Sequence, residues 1–248
     1  LDVEFERTGQ LSVANEEYQL EWVGEAGDPE TEVLDAQQVR ERVNSPTFLG
    51  GEFAPHENAN LHPAKLAVEL ARHAAEIGVE IHEQTPVTRL DGEPEAPIRL
   101  TTDHGTVVAD RVALCTNVFP SLLKRYRFHT VPVYDYVLMT EPLSDEQLVS
   151  IGWEGREGLA DMANQFHYSR LTADNRILWG GYDAVYHAGG RIKREYEDRM
   201  ESHRKLASHF FTTFPQLAGL KFTHRWAGVI DTSTRFCAFF GQAHGGRV

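Results

Sequence analysis

Apolar residues recur at helical spacing over residues 62–77, where Leu66, Leu70, Ala74 and Ile77 share one face, and this pattern predicts an amphipathic helix. Pro63 suits its first turn and Gly78 follows as the stop. A longer helix is expected over 192–214, with Tyr196, Met200, Leu206, Phe210 and Phe214 on its inner side. Shorter ones are expected at 144–151, from the N-cap Asp35 through Val39 and Val43, and from the cap Asn15 to about Gly24. Elsewhere the period drops to two. Strands are predicted at 3–8 and 10–13, turned at Gly9, then at 79–82, 87–90, 98–102 and 106–109. Further strands follow at 131–140, at 166–171 and 177–181 as a hairpin turned at TADN, and at 222–230 and 236–240. The stretch TFLGGEFAP is extended and rich in Gly. DRVALC, residues 110–115, is almost continuously apolar, as a strand buried on both faces of a parallel sheet would be.

The succession of helix, strand, hairpin and buried strand up to about residue 125 predicts part of an α/β nucleotide-binding layer. Long antiparallel strands with a covering helix from 126 onward predict an additional α+β domain. The expected fold class is therefore α/β plus α+β. No internal repeat or low-complexity tract interrupts it.

Charge narrows the partners. The chain of 248 residues carries 24 Lys and Arg against 37 Asp and Glu, a net charge of −13, which argues against nucleic acid, since phosphate binding needs a basic face. Residues 1–60 alone hold 14 acidic and 3 basic side chains. That region reads as a solvated acidic surface or as one that repels anions, and no site is placed there. No stretch approaches the length of a membrane span, and the N-terminus lacks the features of a secretory signal, so a cytoplasmic protein is expected. Cys115 and Cys237 each lie in an apolar run, where buried free thiols in a reducing compartment are expected. The chain begins without Met, inside an alternating run, and is expected to be an internal stretch of a longer protein.

Several chemistries lack their residues. There is no GxSxG elbow for acyl transfer and no GxxxxGK[ST] phosphate loop. His56 and His62, like His203 and His209, are six apart, a spacing that does not bring two imidazoles onto one helical face, so no metal site is expected. The Gly pairs at 50–51, 180–181, 189–190 and 245–246 never extend to GxGxxG.

Four segments carry more information through their order: LHPAKLAVELARHAAEIGVEIHEQTPVTRL (61–90), GTVVADRVALCTNVF (105–119), FHYSRLTADNRILWGGY (166–182) and HRWAGVIDTSTRFCAFFG (224–241). Their succession resembles the glycine oxidase/D-amino-acid oxidase (DAO) family of FAD-dependent oxidoreductases, and VPVYDYVLMTEPL resembles most its gamma-glutamylputrescine oxidase-like branch. The resemblance spans the whole chain. It implies a partial FAD-binding, Rossmann-like layer joined to an antiparallel-sheet substrate domain. Residues 1–60 and 126–241 would belong to the substrate domain, and 61–125 and 242–248 to the FAD-binding domain. The family's GxGxxG half and its C-terminal flavin-binding end would lie outside this chain.

The resemblance also assigns residues. Val87 would meet the adenine through its backbone, or serve only as a packed strand residue. Thr116 and Asn117 would present backbone amides to the FAD pyrophosphate, a chemistry that suits a strand end with free N–H groups. Asn117 has the alternative role of N-cap to a helix over 118–125. Tyr168 matches the tyrosine of the family's Tyr-x-x-Pro-like strand, with Leu171 where Pro often stands, and would flank or hydrogen-bond the substrate; its alternative is an aromatic packed on the sheet. Arg170 shares that strand face. Asp183 matches a pocket His of sarcosine oxidase-like members and would bind the amine or accept its proton. Trp226 is expected in the core. The implied reaction is oxidation of the C–N bond of an amine or amino acid to an imine, with hydride transfer to flavin and reoxidation by O2. A non-catalytic binding module, or a subunit that completes its FAD site with another chain, would share these segments.

Overall fold

The computed structural model describes residues 2–25, 27, 29–93 and 96–248. Its elements are β1 (Glu6–Arg7), β2 (Gln10–Ala14), β3 (Glu32–Asp35), α1 (Ala36–Arg42), β4 (Gly50–Ala54), β5 (Ala59–Asn60), α2 (Pro63–Glu76), β6 (Val87–Asp91), β7 (Ile98–Thr102) and β8 (Gly105–Ala109). After them come β9 (Thr130–Thr140), α3 (Asp145–Ile151), β10 (Gly158–Asp161), β11 (His167–Leu171), β12 (Ile177–Gly181), α4 (Met200–Thr213) and β13 (Phe222–Ser233). The fold is mixed α/β, and the chain divides into two compact units. The first comprises Leu1–Leu70, Tyr134–Val185 and Lys193–Gly228, and the second Ala71–Val133, Tyr186–Ile192 and Val229–Val248. Among the described residues no helix is long and apolar enough to cross a membrane.

An eight-stranded sheet in the order β13-β9-β12-β11-β10-β2-β4-β3 organises the first unit. Its pairs are antiparallel around β11 and β4, while β10 and β2 run parallel. Because side chains alternate across a pleated strand, the register sorts them onto two faces. One face carries Leu11, Val13, Leu159, Leu171, Ile177, Trp179 and Leu138, all buried. Against it pack Val39 of α1, Ile151 of α3, and Leu206 and Phe210 of α4, again buried. Phe214 sits at the centre, with ring centroids 5.6 Å from Phe210, 6.1 Å from Trp179, 6.4 Å from Trp153 and 6.5 Å from Phe48.

Local chemistry sets the helix ends. Asp35 accepts from the backbone N–H of Gln37 and Gln38 at 2.9 Å while Gln38 returns a bond to the Asp35 N–H, a capping box that starts α1 as expected. Ser144 and Gln147 repeat the device at α3. The hairpin of β11 and β12 and the long strand β9 also form where the alternation places them.

Other elements depart from the pattern. Residues 3–8 and 10–13 do not form a hairpin: β1 pairs with β5, and β2 with β4 and β10. Gly9, at φ +72°, is instead a close-approach point, where a Cβ would fall 2.8 Å from the Ala54 carbonyl oxygen. The helix expected after Asn15 is only a 3-10 turn, Glu17–Glu21, and the Gln19 side chain accepts from both the Asn15 and the Glu16 N–H. α4 starts at Met200, not 192: Arg194–Tyr196 forms only a 3-10 turn and Arg199 is extended, with Arg225 bonded to Asp198 at 2.9 and 3.1 Å just before the helix.

The second unit is built on the antiparallel sheet β6-β7-β8. Residues 94 and 95, in the turn expected between β6 and β7, lie outside the described residues. Residues 79–82, 110–115 and 236–240 form no strand, and only a 3-10 turn at Lys124–Tyr126 appears in 118–125. The apolar run at 110–115 meets no strand partner, its backbone tie being Val112 N–H to the Arg247 carbonyl at 2.8 Å. Cys115 and Cys237 are therefore free but exposed, contrary to the expected burial. The amphipathic face of α2 forms as expected but contains no buried residue.

Truncating Phe210 removes a ring from the centre of the helix-facing core. Phe210→Ala is expected to lower stability by about 3–5 kcal/mol, read from the urea unfolding midpoint. A loss under about 1 kcal/mol would show that α4 is not pinned to the sheet by this cluster.

Candidate active site

On the face opposite the helices, the register aligns Tyr168 and Arg170 of β11 with Gly180 and Leu178 of β12 and with Asp135, Val137 and Met139 of β9. Tyr168 stands directly opposite Gly180. A Cβ at Gly180 would lie 2.5 Å from Tyr168 Cζ and 2.6 Å from its Oη, so the phenol occupies the space that any other residue would fill. Laid across β12, the ring reaches the next strand. There its hydroxyl donates to Asp135 Oδ2 at 2.5 Å.

Burial pushes the Asp135 carboxyl above its ordinary range, although the Tyr168 hydroxyl and the backbone N–H groups of Tyr136 and Gly181 partly offset this. Burial, reinforced by the neighbouring carboxylate, also pushes the Tyr168 phenol well up, so it remains a neutral donor. Arg170 lies one pleat along the same face. Burial lowers its pKa, while Glu4 and Glu6 support its charge and Arg156 opposes it.

Asp183 lies two residues beyond β12, after Tyr182, whose φ is +65°. Its Oδ2 accepts from Ser202 at 2.6 Å and Arg199 at 3.2 Å, and its Oδ1 from Lys205 at 2.7 Å. Burial would raise this carboxyl, but the bonds from Lys205 and Ser202 and the charges of Lys205 and Arg199 hold it below its ordinary range. The carboxylate thus ties the end of β12 to the first turns of α4.

His167 points to the helix side. Its Nδ1 meets Asp161 Oδ2 at 2.6 Å and its Nε2 meets His209 Nδ1 at 2.9 Å, with the ring stacked against Trp179 and Tyr182. Both ring nitrogens are engaged within the chain.

Val87, Thr116 and Asn117 belong to the second unit. Val87 opens β6, an edge strand of its sheet, opposite Thr102. Asn117 is left-handed at φ +50°, and its Oδ1 accepts from the Val118 N–H at 2.6 Å, so its side chain caps the following turn. Among the described residues the backbone N–H groups of Thr116 and Asn117 have no partner within the chain. Two adjacent free N–H groups at a left-handed residue make a concavity suited to an anion, which fits a dinucleotide pyrophosphate. Trp226, expected in the core, is 38% exposed.

Tyr168 and Arg170 are brought together on one face, and Asp183 leads away from it to α4. The pattern-based reading missed Asp135 and Gly180. Asp135 is the one acidic residue inside the apolar alternation VPVYDYVLMT, and a Gly within a strand marks a close approach, so both carried a signal.

Gly180→Ala is expected to lose about 1–3 kcal/mol of stability by forcing the Tyr168 ring off the strand. A variant as stable as the wild type in urea would show that the ring does not lie there. For Asp183 the sign follows from its lowered pKa. Its contribution is full above the ordinary carboxylate range and is lost as pH falls through the folded pKa. Asp183→Asn should therefore be destabilising at neutral pH, with the difference from wild type shrinking in acid, and a difference that grows on acidification would contradict the ion-pair geometry.

Comparison with known proteins fits this architecture. The family described as FAD dependent oxidoreductase (DAO) matches residues 1–247. Gamma-glutamylputrescine oxidoreductase of Escherichia coli strain K12 is 31% identical over 235 residues, covering 90% of this chain and 51% of that protein. A probable oxidoreductase, OrdL, of Haemophilus influenzae is 28% identical over 216 residues, covering 85% of this chain and 46% of that one. The chain thus spans about half the length of these curated relatives. Glycine oxidase from Geobacillus kaustophilus shares the fold with a TM-score of 0.82 at 18% identity, covering 100% of this chain and 65% of that one. The chain belongs to the DAO family of FAD-dependent oxidoreductases.

Proposed function

We propose that the protein containing this chain oxidises the C–N bond of an amine or amino acid to an imine. The observation that carries this reading is Tyr168, packed over Gly180 on the sheet face opposite Trp179, with Arg170 beside it. A planar phenol braced in this way offers a fixed wall and a hydroxyl against which a small substrate can be oriented. The gamma-glutamylputrescine oxidoreductase name borne by one relative makes amines the first class to test.

FAD fits the residues present. Val87 would meet the adenine with its backbone, and the free N–H groups of Thr116 and Asn117 would hold the pyrophosphate. When bound, FAD supplies the acceptor for the hydride that leaves the carbon next to nitrogen and passes its electrons on to O2. The chain's own part is binding and orientation. Tyr168 flanks the substrate, Arg170 supplies a cationic group for a substrate carboxylate, and Asp183 fixes the end of β12 to α4 and so sets the position of the strand beneath Tyr168.

Protein expressed from its complete reading frame is expected to purify yellow, to release FAD on denaturation, and to form hydrogen peroxide when given an amine such as gamma-glutamylputrescine or sarcosine. A folded, colourless product that gains no flavin from added FAD would overturn the proposal.

A further inference from the structure

An amine bound as its ammonium has no lone pair on nitrogen, so it must lose a proton before the adjacent carbon can give up hydride. We infer that Asp135, steered by the Tyr168 hydroxyl across Gly180, takes that proton. The inference rests on the amine-oxidising reading above and names the proton acceptor within that site. In the step, a substrate N–H bond breaks, its electron pair stays on nitrogen, and the proton forms an O–H bond on the Asp135 carboxylate. No electrons leave the substrate, so no oxidant enters the step.

The geometry selects Asp135 by elimination. Asp183 is already bonded to Lys205, Arg199 and Ser202, which stabilise its ionised form and make it a poor acceptor. Arg170 carries a cation and has no basic site. His167 faces the helices, with one ring nitrogen on Asp161 and the other on His209. Tyr168 already donates its proton to Asp135. Asp135 shares the Tyr168 face, and the groups that set its protonation are the Tyr168 hydroxyl and the N–H groups of Tyr136 and Gly181, with no charged side chain among them.

These contacts have opposite signs. Burial raises the Asp135 proton affinity, which aids transfer, whereas the hydrogen bond from the Tyr168 phenol orients the carboxylate and offsets part of that rise. An acceptor fully satisfied by cations would hold the ammonium without deprotonating it. A carboxylate held only by neutral donors avoids that trap.

The test uses the full-length flavoprotein with an amine substrate, following the pH dependence of kcat/KM and, independently of turnover, the infrared C=O stretch of protonated carboxyl groups. Wild type should show an acid limb in kcat/KM and a matching infrared titration. In Asp135→Asn both should vanish and kcat/KM should fall about 10²–10⁴-fold, with flavin content unchanged. Asp135→Glu should restore an acid limb. Tyr168→Phe removes a contact that lowers the Asp135 pKa, so the limb and the infrared titration should move together to higher pH. An Asp135→Asn enzyme with the wild-type profile, or a Tyr168→Phe limb that stays in place, would overturn the inference while leaving amine oxidation intact. A flavin-loaded wild type that oxidises no amine would overturn the functional reading itself.

Discussion

Gly180 has no side chain, and the Tyr168 ring fills the space this leaves. That steric fact fixes the chemistry of the sheet face. With any other residue at 180, a Cβ would sit 2.5 Å from the phenol, well inside van der Waals contact, and the ring would have to rise off the strand. The hydroxyl would then no longer span from β11 over β12 to Asp135 on β9. A glycine in mid-strand weakens a sheet by itself, since it packs nothing and costs backbone entropy. Here the cost is offset by an aromatic ring that covers the gap and ends in a hydrogen bond.

The opposite face makes this precision possible. A phenol can hold a 2.5 Å bond only if the strands beneath it do not shift. The aromatic cluster around Phe214 supplies that rigidity by packing α4, Trp179 and Phe48 against the helix side. His167 contributes through its bonds to Asp161 and His209, which clamp the residue next to Tyr168 onto α4. Alternation makes neighbours on one strand serve opposite ends: His167 secures, and Tyr168 presents.

How much was legible in the sequence depended on whether a feature was local. The N-cap at Asp35, the helix beginning at Ser144, the hairpin turned at TADN and the strand β9 are determined by residues a few positions apart, and each formed where the pattern placed it. Strand pairing is not local, and it decided the failures. Residues 110–115 have the composition of a doubly buried strand, but among the described residues no strand pairs with them, and Cys115 is exposed. At the site, Tyr168 and Arg170 could be placed on one face from spacing alone. Asp135 could not be joined to Tyr168 without the register of β9 on β12, because 33 positions separate the two in sequence.

Two carboxylates of this chain show why the partner, more than the residue type, assigns the role. Both are shielded from water, a condition that penalises the ionised form. Asp183 meets that penalty with Lys205 and Arg199, its pKa falls, and the outcome is a fixed joint between β12 and α4. Asp135 meets it with a phenol and two backbone amides, its pKa rises, and the outcome is a carboxylate with remaining affinity for a proton. Cations strongly stabilise the ionised form of a buried carboxylate, whereas neutral donors orient it and lower its proton affinity only in part. By that criterion the acid interrupting the apolar run of β9 is the one positioned to react, and the acid after β12 is the one positioned to hold.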